Sequence, residues 1–294
     1  MAGHSEDLQL ALELADLADS ITLARFRAED LVIETKPDFT PVTDADRAVE
    51  QALRQRIGAA RPDDAILGEE YGVRGAGRGR PAPGYEDRGR RWILDPIDAT
   101  KSFLRGMPIF GSLIALAVDD EVQVGVVSAP ALGRRWWASR GAGAHAWGGG
   151  AGVRGPGTGS VGGRPIAVSR VTELADAQLA WSGIEDWDEI GRFDALVELG
   201  RRCWRTRGVG DFWQYMLVAE GAAEIALDPT ISIWDVAAVQ VIVEEAGGRF
   251  TDLGGVRTPD GGDAIATNGL LHDAALGIVG RDAGSRPCAL RWAR

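Results

Sequence analysis

The stretch WILDPIDATKSF, Trp92 to Phe103, decides how this chain is read. Three apolar residues run into two aspartates three apart, with a proline between them and Thr100 just after. Asp and Pro are disfavoured inside strands. Trp92, Ile93 and Leu94 therefore read as the buried part of a strand ending at Asp95, and Asp95-Pro96-Ile97-Asp98 as the turn that leaves the sheet. Two carboxylates at a buried strand end, with no Lys or Arg between them, repel one another and lose hydration. A bound cation would neutralise them; a solvated turn with a capping Asp is the plainer alternative.

Working outward, residues 6–28 read as an amphipathic helix, with Leu10, Leu14, Leu17 and Ile21 on one face. LVIET suggests a short strand. Thr43 is placed to cap a second helix carrying Val49, Leu53 and Ile57 on one side. AILGEE reads as a strand ending in acid. IFGSLIALAV and EVQVGVVSA read as consecutive strands turned at Asp119-Asp120, with RRWWAS as a third. Residues 72–90 are rich in Gly, Pro and Arg and read as a mobile surface loop. Residues 141–163, mostly Gly and small residues, read as loop and as the hinge between two halves.

The second half alternates between strand patterns (LAWSG, WRTRG, AEIALD, GRFTDL, DAIATNG) and helix patterns (FDALVELGRR, FWQYMLVAEG, WDVAAVQVIVEEAGG, LLHDAALGIVG). That alternation indicates an α/β half behind an α+β half. The expected division is 1–145 and 164–294, two packed subdomains, with the RPCALRWAR tail peripheral.

The chain has 294 residues and a net charge of -11. The acidic balance argues against a nucleic-acid or anionic-membrane surface. Neither Cys203 nor Cys288 sits in a C-x-x-C pair, so buried free thiols in a reducing compartment are expected. The acidic, helical start lacks the basic region and continuous apolar core of a signal peptide. No stretch approaches the ~18 apolar residues of a membrane span. A cytoplasmic location is expected.

Four acidic stops recur. Asp44 and Asp46 start a helix, Glu69 and Glu70 end a strand, Asp95 and Asp98 leave a strand, and Asp235 opens a helix. Each has an ordinary explanation as a first-turn acid or a solvated edge. Together, carboxylates at strand ends of separate segments are what a site outside the carboxyl edge of a sheet needs. An oxygen-only set in a chain with three His suits Mg²⁺ or Mn²⁺ and not zinc. The free amides at the start of TKSFL suit a phosphate. Hard cations beside a phosphate cradle suggest metal-assisted hydrolysis of a phosphate ester. A G-x-x-x-x-G-K-[ST] loop is missing.

DPIDATKSF closely resembles the D-P-I-D-G-T-x-x-F signature of the inositol monophosphatase superfamily. The second signature, W-D-x-A-A followed by E-A-G-G, stands at Trp234–Ala238 and Glu245–Gly248. G-E-E stands at Gly68–Glu70 and T-x-x-D at Thr43–Asp46. The resemblance covers nearly the whole chain. GVVSAPALGRRWWA, GDFWQYMLVAEG and DPIDATKSFLRG look most like the actinobacterial-type histidinol-phosphate phosphatases.

The resemblance implies a layered αβαβα sandwich of the inositol monophosphatase and fructose-1,6-bisphosphatase type, a homodimer, and two or three Mg²⁺ per site. It implies hydrolysis of L-histidinol phosphate to L-histidinol and phosphate, a late step of histidine biosynthesis. Glu69, Asp95, Asp98, Asp235 and the carbonyl of Ile97 would be the metal ligands. Thr100 and Glu69 would orient and deprotonate the attacking water, Asp46 would hold a further water or a third ion, and the amides of Ala99 and Thr100 would hold phosphate.

Ala99 departs from the family's Gly. A positive φ there would cost ~1 kcal/mol or more, and a negative φ is expected. Asp211 and Asp228 are expected to bind the substrate's amino group, although Asp211 also reads as a helix N-cap and Asp228 as a turn residue before Pro229. Trp136 and Trp137 read as core and surface of one strand, and His4, His145 and His272 as surface residues. Competing readings are the same chemistry on inositol 1-phosphate or a 3′-phosphoadenosine nucleotide, and a non-catalytic metal- or phosphate-binding regulator. A nucleic-acid binder using the Arg-rich loop from Arg74 to Arg91 is opposed by Glu86, Asp87 and the net charge.

Overall fold

The computed structural model describes residues 2–37, 39–74, 89–148 and 163–280. The chain begins with α1 (Ala2–Arg25), the hairpin β1 (Ile33–Thr35) and β2 (Pro41–Thr43), α2 (Asp44–Ala60), β3 (Ala65–Gly68) and β4 (Gly72–Arg74). It continues through β5 (Arg90–Asp98), the short α3 (Thr100–Leu104), β6 (Gly111–Val118), β7 (Glu121–Ala129), β8 (Arg134–Ser139), β9 (Ala144–Gly148) and β10 (Arg164–Ile166). The remainder is β11 (Gln178–Trp181), α4 (Ile184–Glu189), α5 (Phe193–Arg202), β12 (Arg205–Gly208), α6 (Asp211–Ala219), β13 (Ile225–Asp228), α7 (Ile233–Glu245), β14 (Arg249–Thr251), β15 (Ala264–Thr267) and α8 (His272–Val279). An eight-stranded sheet has the order β10-β9-β8-β7-β6-β5-β3-β4, and a five-stranded sheet the order β12-β11-β13-β15-β14.

The period of two along each strand sorts the layers. Trp92, Leu94, Ile114 and Leu116 face α1 and α2, meeting Leu14, Val49, Leu53 and Ile57. Ile93, Leu113, Val127 and Trp136 face the other way, against Phe212, Tyr215, Val236 and Val239 of α6 and α7. Beyond those helices lie Ala226, Ala264 and Ala266 of the second sheet. Its far face, Leu179, Ile225, Leu227 and Ile265, packs on Leu196, Leu199, Ala275 and Val279 of α5 and α8. The five layers are therefore α, β, α, β, α, as the resemblance implies, and the middle helices are clothed by both sheets.

Several expectations change. Strand β5 does not end at Asp95 but runs through Asp98, with a register shift between Asp95 and Asp98 that takes up Pro96. A proline fits a strand at such an irregularity, where no ladder donor is missed. The segment 141–163 is not all loop: β9 lies within it and pairs with β8 and β10, while 149–162 fall outside the described residues. Of the 72–90 loop, β4 pairs with β3 and 75–88 are likewise outside, as is Cys288. Cys203 is half-buried.

Trp136 and Trp137 are both buried, one on each side of the sheet, because both faces are covered by helices. His272 is not on the surface either: it is fully buried, with Thr251 Oγ1 at 3.0 Å and Thr267 Oγ1 at 3.1 Å, and burial pushes its imidazole down to about 4. His145 is half-buried and stacks on Trp137; the side chain of His4 is outside the described set. The Asp119-Asp120 turn is as expected, with φ of 50° and 66°, values that Asp tolerates better than most residues.

Candidate active site

The register shift in β5 is what makes a site. Strand β3 pairs with β5 only as far as Leu94, so beyond that point one edge of β5 is unpaired and open to ligands. On the other edge, Ser112 Oγ donates to the Pro96 carbonyl at 2.7 Å and anchors the bulge. Asp95 and Asp98 are both buried. The amide of Phe212, in the first turn of α6, donates to Asp98 Oδ2 at 2.6 Å, a charge-assisted bond that holds this carboxylate from the second half of the chain.

Asp235 and Asp46 reach the site by the same local device. Each is the third residue of its helix, and one oxygen turns back to the chain before it. Ser232 N donates to Asp235 Oδ2 at 2.9 Å; Thr43 N and Oγ1 donate to Asp46 Oδ2 at 2.9 and 2.5 Å. The capping box engages only Oδ2 of each acid and leaves Oδ1 uncommitted to the cap. The helix-start reading of these acids therefore holds, and it does not exclude a ligand role.

Helix α7 can deliver Asp235 because it rides close to the sheet. A Cβ at Gly125 of β7 would lie 2.5 Å from the Ala238 carbonyl and 2.6 Å from Val241 Cγ1.

Oxygens of Asp95, Asp98 and Asp235 lie within 4.8 Å of one another. Burial first, then Glu69 and Asp98, pushes Asp95 well above the usual carboxylate range. Burial, then Asp211 and Asp235, does the same to Asp98 against the pull of the Phe212 amide. Burial raises Asp235 to about 7, and it raises Asp46 against its Thr43 hydrogen bonds. Asp95 Oδ1 is buried and has no hydrogen-bond partner among the described residues.

An all-oxygen cluster of acids, one with an orphaned buried oxygen, fits a hard divalent cation. Such an ion would supply the positive charge that lets all three ionise.

Glu69 stands at the next turn, after β3. Its charge is felt by Asp95, Asp235 and Asp46, and its Oε1 sits 2.7 Å from Lys36 Nζ. Lys36 also meets Glu70 Oε1 at 2.6 Å. Burial works against the Lys36 charge, but the two glutamates outweigh it and raise its pKa. Burial raises Glu70 to about 7 despite Lys36. Reading the sequence missed Lys36. It lies 33 residues before Glu69, in the β1–β2 hairpin, and no spacing pattern links the two.

Thr100 opens α3. Its Oγ1 lies 3.0 Å from the Ile97 carbonyl oxygen and 3.3 Å from Asp46 Oδ1, joining the ends of β5 and α2. Ala99 contradicts its expectation: φ is +66°, in the left-handed region. Ala99 is the single residue between the end of β5 and the first turn of α3, and the chain changes direction there through this conformation. The alanine therefore carries the strain that the family's glycine avoids.

Asp98 and Asp235 also line a cavity of about 690 Å³, shared with Lys101, Trp181, Asp186, Asp211 and Asp228. Asp211 is not the N-cap of α6. Gly210 takes that place, and Asp211 is the first helical residue, with φ of +52°. Its side chain opens to the cavity, whose walls push it up to about 6 against the pull of Lys101. Asp228 ends β13 and is buried; its Oδ2 accepts from Gln214 Nε2 and Tyr215 Oη, each at 2.5 Å. Burial raises it to about 6, opposed by those bonds and by Ser182. Acids thus outnumber Lys101 around this cavity, which favours a cationic guest.

The family model for the inositol monophosphatase family matches residues 4–281. The chain is 52% identical over 274 residues to a histidinol-phosphatase from Mycobacterium tuberculosis, covering 92% of this chain and 96% of the relative. It is 46% identical to a histidinol-phosphatase from Streptomyces coelicolor, covering 95% and 98%. Among solved structures it is similar to an inositol monophosphatase from Zymomonas mobilis, with a TM-score of 0.76, 30% identity and coverage of 94% and 98%. Among the described residues no helix is long and apolar enough to cross a membrane.

Proposed function

The chain belongs to the inositol monophosphatase family, a family of metal-dependent phosphatases, and from that premise we propose that it hydrolyses L-histidinol phosphate to L-histidinol and phosphate. The observation that carries the reading is the meeting of Asp95, Asp98 and Asp235, of which Asp98 and Asp235 line an acid-rich cavity. The carboxylates supply the metal centre, and Asp211 and Asp228 supply counter-charge for a substrate bearing an ammonium and an imidazole. The identity of 52% to a histidinol-phosphatase along nearly the full chain supports the same substrate.

Asp95, Asp98, Asp235, Glu69 and the Ile97 carbonyl would hold two or three Mg²⁺, with Mn²⁺ as a substitute. Bound ions neutralise the cluster, make water acidic near neutral pH and offset charge on the leaving oxygen. The chain's own residues do the rest. Glu69 accepts a proton from the attacking water, and Thr100, tied to Ile97 and Asp46, orients that water in line with the ester bond. The amides of Ala99 and Thr100 receive the phosphate. The water oxygen forms its bond to phosphorus as the ester P–O bond breaks, and the leaving alkoxide takes up a proton from a solvent water, while Glu69 returns the proton it accepted to solvent; no covalent enzyme intermediate forms. A cytoplasmic, homodimeric enzyme of histidine biosynthesis is the corresponding biological reading, and sedimentation measures the assembly.

Phosphate release from histidinol phosphate and from inositol 1-phosphate, measured side by side with Mg²⁺, tests the substrate. The expected result is a much larger kcat/KM for histidinol phosphate, and equal or reversed values would refute it. Asp211→Asn is expected to raise KM for histidinol phosphate far more than for a neutral phosphate ester.

A further inference from the structure

Beneath the turn that carries Glu69 lies a carboxylate so far without a role. Glu50 of α2 is fully buried but well partnered. Its Oε2 accepts the amide of Glu70 at 2.7 Å, and its Oε1 accepts the amide of Tyr71 at 3.2 Å and Arg54 Nε at 2.6 Å. The amide of Glu69 itself donates to the Leu94 carbonyl of β5 at 3.2 Å. Three successive amides, 69 to 71, are therefore all held, one by the strand that bears Asp95 and two by Glu50. Only a carboxylate offers two acceptor oxygens with no donor to clash with the amides it meets. Burying one unpaired would be prohibitive, so its partners must stay in place.

Room for this group exists only because residue 68 is glycine. A Cβ there would lie 2.1 Å from Glu50 Oε1 and 2.4 Å from its Cδ. Gly68 is not among the positive-φ glycines, so space and not backbone conformation explains it.

We infer that Glu50 is a positioning residue of the metal centre: by clamping the 69–71 turn through two amides, in the space Gly68 leaves, it aims the Glu69 carboxylate at the cation. The inference rests on the reading of Glu69 as a ligand. The Arg54 bond locks the Glu50 rotamer. Groups that orient ligands in this way typically change metal affinity by about 10–100-fold when altered.

The test is calorimetric titration of the chelator-stripped protein with Mg²⁺, which needs no substrate, alongside kcat and KM at saturating Mg²⁺. E50Q keeps the side-chain volume but turns an amide donor toward a backbone N–H. The expected result is a folded protein by circular dichroism with Mg²⁺ affinity weakened about tenfold, kcat lowered, and KM changed less than about twofold. E50D serves as the conservative variant and should recover part of the affinity if E50Q is poorly folded.

G68A alone should weaken Mg²⁺ binding. Added to E50A it should cost nothing further, because the carboxylate it strikes is gone. Parental Mg²⁺ affinity in folded E50Q, or additive effects of G68A and E50A, would overturn the inference. So would an unchanged Mg²⁺ affinity in E69Q, which removes the ligand reading beneath it. If the parent fails to hydrolyse histidinol phosphate while E50Q still weakens Mg²⁺ binding, the substrate reading falls and the positioning role stands.

Discussion

Asp235→Asn should stabilise the protein when divalent ions are stripped away. In the folded chain burial raises the Asp235 carboxyl from 3.8 to about 7. Each unit corresponds to about 1.4 kcal/mol, so forcing it to ionise costs at most about 4 kcal/mol relative to the unfolded chain. Asp95 and Asp235 lie close enough to share a proton, which divides that cost between them. A gain of about 1–3 kcal/mol on substitution is expected. Asn keeps an oxygen for the Ser232 amide, 2.9 Å away in the parent, so the helix start is not lost.

The sign follows from proton binding. The folded state holds its proton up to about pH 7, whereas the unfolded chain releases it near 3.8. Stability of the parent therefore falls as pH rises through that window, and does so less steeply in the variant. Urea unfolding with a chelator at pH 5 and pH 8 reads both quantities. The variant should be the more stable at pH 8, with the gap shrinking at pH 5. Added Mg²⁺ should stabilise the parent much more than the variant. A variant less stable than the parent at pH 8 without metal, with the same pH slope, would refute the picture of an uncompensated acid cluster.

Glu69→Gln should lower kcat by about 10²-fold or more with little change in melting temperature, measured by phosphate release and thermal unfolding. Ala99→Gly should leave kcat intact and stabilise the fold by up to about 1 kcal/mol, because it relieves a left-handed alanine. Gly125→Ala should cost about 1–3 kcal/mol in urea unfolding and weaken Mg²⁺ binding as well. The added methyl meets the Ala238 carbonyl and pushes α7, with Asp235 on it, away from the sheet.

Much of the site is legible as local chemistry. DPIDATKSF, GEE and WDVAA mark their acids because carboxylates after apolar runs need an explanation wherever they occur. The capping position of Asp46 and the helix onset at Asp235 follow from neighbours three residues away. The elements of the second half are nearly all readable from their apolar periods, and α5 runs from Phe193 to Arg202 as its pattern suggests. Short α4 has no such period and is not read. Failures cluster where the outcome depends on distant chain. Trp137 and His272 look exposable in sequence and are buried: Trp137 because helices cover both faces of its sheet, His272 because the start of α8 seats it between Thr251 of β14 and Thr267 of β15. Strand β5 continues past a proline because β6 and Ser112 support the bulge.

By itself the amino-acid order determined most of the element pattern and the candidate acids, for these rest on periods of two and 3.6 and on side-chain chemistry; the αβαβα layering came from the resemblance of the motifs to a known family. Tertiary structure alone decided that Lys36 answers Glu69, that Glu50 fills the space left by Gly68, and that Ala99 turns left-handed. Hydrogen bonds and steric contacts fade within a few ångströms, so which groups feel them depends on how the folded chain brings remote segments together.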